Sequence, residues 1–218
     1  FTPNRIGEYG AKALFFQPHY RKKILLVNVL SNFMQMSATL IFGIVGCLIF
    51  IQNYTLPVDN KNVITLLSVI FFVIFAMIVW VKFRPLKIWN VSLIKLKQFA
   101  LSIPKNIFYK GFIYSIIRYL VFSFQFYILL RFFNIEIGYF DAMVLISTMY
   151  LLSSIIPSIF ILDVVVKGGI SVYLFSFLNI DELSILSIVG IMWILNFVLP
   201  SIIGSIYILK FKLPKDIS

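Results

Sequence analysis

Acidic residues are scarce in this chain: 8 aspartates and glutamates stand against 19 lysines and arginines among 218 residues, a net charge of +11. Such an excess points to nucleic acid only where the basic residues share one face of a soluble domain. Here they fall in the gaps between apolar runs, as topology signals and contacts for anionic lipid, so no nucleic-acid partner is expected. The only cysteine, Cys47, lies inside an apolar run, which excludes an intramolecular disulfide, a CxxC motif and a thiolate metal cluster. The only histidine, His19, lies beside Arg21, Lys22 and Lys23, so a histidine-rich metal site or a histidine dyad cannot be built. No Gly-rich loop precedes a basic residue in phosphate-loop spacing, and no Gly-x-Ser-x-Gly elbow occurs. Catalytic residues, metal ligands and cofactors are therefore all expected to be absent.

Apolar side chains fill the chain instead. Hydrophobic residues make up 61% and charged residues 12%, and the mean hydropathy is +1.01. A soluble domain cannot cover its surface from that mix, whereas runs of about 20 apolar residues are what a bilayer core about 30 Å thick selects. Four runs are long enough to cross, at about 24–51, 63–81, 111–133 and 184–209. The expected fold is all-α, a polytopic transmembrane helical bundle with short broken or re-entrant helices, and 1–218 reads as a single membrane domain. Because the chain opens at Phe1 without a signal segment, further spans are expected before it.

Charge sorts the connections into two sides. The loop 82–110 carries Lys82, Arg84, Lys87, Lys95, Lys97, Lys105 and Lys110 with no acid, and Arg21 to Lys23 and the tail with Lys210, Lys212 and Lys215 share its sign. By the positive-inside rule these face the cytoplasm, C-terminus included, while Asp59, Glu136 to Asp141 and Asp181 to Glu182 face outside. The two sides connect only if 142–178 crosses twice or dips in and returns. Its two apolar pieces, 142–156 and 168–178, are short for spans and flank IPSIFILDVVVKGG, with a proline, two glycines and two charges. Irregular backbone survives at membrane depth only where protein or a water-filled cavity satisfies it, and such interruptions point to transporter binding sites. The sequence favours the re-entrant form; the ordinary alternative is two short tilted helices with a turn at Asp163 to Lys167. Within the basic loop, Trp89, Leu93, Leu96 and Ala100 share one helical face, so 86–101 reads as an amphipathic helix in the headgroup region.

A charged pattern occurs twice. Glu8 precedes Lys12 and Asp163 precedes Lys167, each by four residues, with Pro3 and Pro157 upstream. That spacing puts acid and amine on one helix face. At membrane depth a single charge costs roughly 2.5 to 3.5 kcal/mol, so pairs placed there would face a cavity. A zwitterionic or anionic phospholipid headgroup fits them, lysine meeting phosphate and the acid meeting an amine or hydroxyl. At an interface the same pairs would only stabilise helix starts. Arg118, about seven residues into its run, is either a phosphate contact in the cavity, with Gln125 two turns along the same face, or a residue that snorkels to the interface. Asn28, Asn32 and Gln35 read as glue between helices, and Asn196 as a partner for a carbonyl freed by Pro200.

FTPNRIGEYGAKALFF at 1–16, SSIIPSIFILDVVVKGGISVYLF at 153–175 and WILNFVLPSIIG at 193–204 carry a resemblance. Through Pro3, Gly7 and Glu8, through Pro157, Asp163, Lys167, Gly168 and Gly169, and through Trp193, Asn196, Pro200 and Gly204, nearly the whole chain resembles one family. It is the lysylphosphatidylglycerol synthase transmembrane region, or flippase-like domain family. The resemblance implies a multi-pass protein of the bacterial cytoplasmic membrane whose short re-entrant helices meet in a central cavity. Some members move an aminoacylated phospholipid between leaflets, and others accompany glycan or isoprenoid pathways. It maps Glu8, Asp163 and Lys167 onto the family's two charged elements; with Lys12, read from its spacing, and Arg118, read from its place in the run, these are the expected lipid-binding residues. The nine residues after Leu209 leave no room for a soluble synthase domain, so only the membrane part is expected. Asp163 and Lys167 stand where the family pattern prefers Glu and Arg, and lysine lacks the arginine fork for phosphate. Two other roles remain open: a membrane-embedded transferase acting on a lipid-linked substrate, and a non-transporting partner of a biosynthetic enzyme.

Overall fold

The computed structural model describes residues 12–54, 87–88, 91–92, 99, 102–156 and 162–210. Its helices are α1 (Pro18–Asn53), α2 (Lys105–Phe132), α3 (Tyr139–Ile155), α4 (Leu162–Ser176), α5 (Glu182–Trp193) and α6 (Leu199–Lys210). A π-helical segment, Ile194–Val198, joins α5 to α6 without a break. Among the described residues three stretches are long and apolar enough to cross a bilayer: Pro18–Asn53 with 36 residues, and Lys105–Phe132 and Glu182–Leu209 with 28 each. At 1.5 Å per residue even the shorter two reach about 42 Å, more than the hydrocarbon thickness. The fold is of the all-α class, a helical membrane protein.

These spans match the apolar runs at 24–51, 111–133 and 184–209, and the first two extend well beyond them at their basic ends. The extensions start at prolines: Pro18 occupies the first turn of α1, and Pro104 immediately precedes α2. Proline fits there because the first helical amides lack partners in any case. Lys105 and Lys110 lie in the first turns of α2, which is why hydropathy alone starts that helix too late. The expected span at 63–81 lies outside the described residues.

Helix α3 is the centre of the fold. Of its 17 residues, nine are buried, including Leu145, Ile146 and Met149. Its closest neighbour is α1, which approaches through Gly43 and Gly46. A Cβ on Gly43 would lie 2.5 Å from the Leu151 Cβ, and one on Gly46 would lie 2.7 Å from the Ser147 Cβ and 3.1 Å from the Val144 carbonyl. The partners descend from 151 to 144 as the glycines ascend, so α1 and α3 are antiparallel. Without side chains at these glycines the backbones can come close, and that contact replaces a hydrophobic drive that is missing between helices in lipid. Helices α1 and α2 run parallel: Gly111 meets the Met34 sulfur, and Phe42 stacks on Tyr119 with centroids 4.7 Å apart. Buried hydroxyls return to their own helices, Thr148 to the Val144 carbonyl at 2.8 Å and Ser171 to the Lys167 carbonyl at 2.7 Å.

Helices α3 and α4, with 17 and 15 residues, are about 26 and 23 Å long and shorter than a hydrocarbon core. The helix resumes at Leu162, so Asp163, Lys167, Gly168 and Gly169 lie in regular α-helix and not in the interruption between the two pieces. A turn at Asp163 to Lys167 is likewise ruled out. The physical reason is local: an acid in the first turn and a lysine four residues on both favour a helix start. Gly168 is buried, and a Cβ there would lie 3.1 Å from a Leu186 methyl, so it seats α4 against α5, whereas Gly169 has nothing within 4 Å. Pro157 lies outside the described residues.

The amphipathic helix expected over 86–101 does not run through its first half. Lys87–Ile88 pairs antiparallel with Val91–Ser92, Ile88 opposite Val91. Both of those residues are β-branched and favour extended backbone, which outweighs the helical spacing of the apolar positions. Phe99 is helical, and the rest of the segment lies outside the described residues.

At the acid-bearing end the turns are tight. Asn134 and Asn179 both adopt φ of 55° just after a helix, a conformation asparagine tolerates. Asp181 caps α5 by accepting from the Ser184 amide at 2.9 Å and its hydroxyl at 3.0 Å. Asp181→Ala is expected to destabilise the protein by about 1 kcal/mol, measurable as a shift in the midpoint of unfolding in mixed micelles.

Candidate functional site

A cavity of about 350 Å³ opens among α1, α2, α3, α4 and the junction of α5 with the π segment. Each element brings polar groups to it: Gln35 and Thr39 from α1, Arg118 and Tyr119 from α2, Tyr150, Ser153 and Ser154 from α3, Asp163 and Lys167 from α4, and Asn196 from the π segment. Trp193, Phe197, Phe122 and Phe126 supply aromatic wall.

The depth of this cavity follows from helix arithmetic. Arg118 is 13 residues from Lys105 and 14 from Phe132, and Asn196 is 14 from Glu182 and 13 from Leu209. Each therefore lies about 20 Å along its helix from either end. Arg118 lines the cavity from near the middle of α2. Its guanidinium lies 5.4 Å from the centroid of Phe122, one turn on, where the ring face offers partial compensation for lost hydration. Tyr150 packs edge-on against Tyr119 with centroids 5.8 Å apart.

Asp163 and Lys167 form an ion pair, Nζ to Oδ2 at 2.8 Å, with side chains 24% and 35% exposed. Three charges thus share the cavity: Arg118, Lys167 and Asp163. The Tyr119 hydroxyl adjoins those of Ser123 and Ser147.

Of the residues singled out from the sequence, the structure brings Arg118, Asp163 and Lys167 together. Lys12 lies in a short helical turn before α1, is exposed and does not line the cavity. Glu8, Pro3 and Gly7 lie outside the described residues. Gln35 and Asn196 were read as glue and as a carbonyl partner, yet both line the cavity. Asn196 does hold a carbonyl, that of Met192 at 2.9 Å, and also reaches across to the Gln125 side-chain oxygen at 3.1 Å. Tyr119, Tyr150, Ser153 and Ser154 escaped notice because serine and tyrosine inside apolar runs look the same whether they face a cavity, a neighbour or lipid.

A second cavity, about 430 Å³, lies between the basic ends of α1 and α2. Its lining is apolar apart from Lys23, Ser31 and Ser102, so it lacks a comparable cluster. Among the described residues no group of three histidine, cysteine or acidic side chains could hold a metal ion. Comparison with protein-family models, with curated proteins and with solved structures finds no match.

Proposed function

We propose that this chain is a lipid-handling transporter of the flippase-like kind, in which the mid-membrane cavity holds a phospholipid headgroup while the acyl chains stay in the bilayer. The observation that carries the reading is Arg118 at the middle of a 28-residue span, sharing a cavity with the Asp163–Lys167 pair. Ionisable groups at that depth are costly and recur where polar cargo crosses a membrane. Arg118 supplies a fork for phosphate, Lys167 a second cation, and Asp163 an acceptor for a headgroup amine or hydroxyl. The volume of about 350 Å³ suits a headgroup and excludes the tails. Short helices and a π segment around a midplane site are the architecture that broken-helix transporters use. The positive-inside rule sets the basic ends of α1 and α2 in the cytoplasm, and the resemblance in the sequence favours a bacterial inner membrane.

The test is binding of an anionic phospholipid with short chains to purified protein in neutral detergent. Arg118→Gln is expected to weaken it at least tenfold, equivalent to about 1.4 kcal/mol. Proteoliposomes carrying a headgroup-labelled phospholipid should then show transfer between leaflets that the variant loses. Unchanged affinity in Arg118→Gln would sink the proposal.

A further inference from the structure

Among the described residues the cavity is open on one side. Arg118 and Asn196 are both exposed, although each sits at the middle of its helix. They lie on opposite lips of a seam, with Arg118, Phe122 and Gln125 along α2 and Trp193, Asn196 and Phe197 along the last span. Asn196 is on this seam because the helix widens to π geometry, with the Leu199 amide reaching back to the Ile194 carbonyl just before Pro200. Such single-turn widenings recur at functional positions.

Hydrogen bonding fixes the orientation of both amides. The Asn196 nitrogen donates to the Met192 carbonyl at 2.9 Å, an atom that can only accept, and its other hydrogen goes to the Gln125 oxygen at 3.1 Å. Both donors of Asn196 are then used. Among the described residues the Asn196 oxygen and the Gln125 amide hydrogens have no partner. Unmatched amide groups and a guanidinium facing hydrocarbon would each cost several kcal/mol.

The geometry points to a lateral portal: the seam between α2 and the π segment is where a phospholipid headgroup passes from the bilayer into the cavity. Its phosphate meets Arg118, and its hydroxyl or ester oxygens meet the Gln125 and Asn196 amides. Charge selects this occupant over a second copy of the chain, which would bring a second Arg118 toward the first. The inference rests on the headgroup reading above and adds the route.

The experiment places the protein in vesicles containing an anionic phospholipid that carries a diazirine on its headgroup. After illumination, labelled positions are mapped by mass spectrometry. A headgroup has no access to mid-span positions through hydrocarbon, so Val45, 54% exposed on the lipid-facing side of α1, serves as background. Labelling of Phe122, Gln125, Trp193 and Asn196 at ten times that background or more is expected, falling at least fivefold in Gln125→Leu/Asn196→Leu. Label on Ser153, Ser154 and Lys167 but not on the seam would overturn the portal and leave the headgroup cavity standing. Label confined to helix ends would overturn both. Crosslinks from the seam to another segment of this chain, obtained with a photoreactive residue at 196, would show that protein covers it and would also overturn the portal.

Discussion

Gly46→Val is expected to abolish recovery of folded protein, with Gly43→Val close behind. A Cβ at position 46 would already be 2.7 Å from the Ser147 Cβ, and the next atom in its way is the Val144 carbonyl. Neither is the far end of a flexible side chain, so the clash can be relieved only by moving α1 away from α3. Overpacking typically costs about 1 to 3 kcal/mol, and opening a helix pair adds its lost contacts to that. Valine at Gly169, where a Cβ meets nothing within 4 Å, is the matched control and is expected to leave recovery unchanged. Monodisperse yield in mild detergent, compared across the three variants, decides the matter. Equal yields would mean that α1 and α3 do not pack through these glycines.

Asp163→Asn should be the most damaging single change at the cavity. It leaves Lys167 with a full charge in the cavity and turns the carboxylate 2.8 Å away into a neutral amide. Breaking a buried pair from one side costs about 3 to 5 kcal/mol in general. Partial exposure to the cavity lowers the figure expected here to about 2 kcal/mol. Removing both charges in Asp163→Asn/Lys167→Gln should recover most of that stability while binding of anionic lipid stays impaired. The readout is a double-mutant cycle of unfolding midpoints in mixed micelles, run beside the binding assay. A double variant that is less stable than Asp163→Asn would show that the pair is not a unit. A double variant that binds normally would remove Lys167 from the site.

The parts of this fold that depend on local spacing were legible in the sequence. Residues 24–51, 111–133 and 184–209 announce spans because an unbroken apolar run has one comfortable environment. Asp163 and Lys167 announce contact because four residues make one helical turn. What escaped depends on neighbours distant in the chain. Helix α3 is buried on every side, so its hydropathy has no phase, and nothing marks Tyr150, Ser153 or Ser154 as facing a cavity. The π segment is hidden because Pro200 predicts only a disturbance of the helix, not its form. Arg118 was ambiguous from its run alone, since counting from residue 111 places it near an interface. The six extra residues from Lys105 put it near the middle of the helix itself. The segment 86–101 shows the converse failure: helical spacing was present, and β-branched Ile88 and Val91 pair across a short ladder instead.

The burial of α3 also bears on how the chain is made. Membrane helices enter the bilayer one after another and assemble sideways afterwards. Helices α1 and α2 precede α3 in the chain, so two walls of its berth already exist when it leaves the ribosome. α4 and α5 close the remaining sides later. Synthesis thus proceeds from scaffold to centre to cover, an order that a circular permutant starting at Tyr139 would reverse.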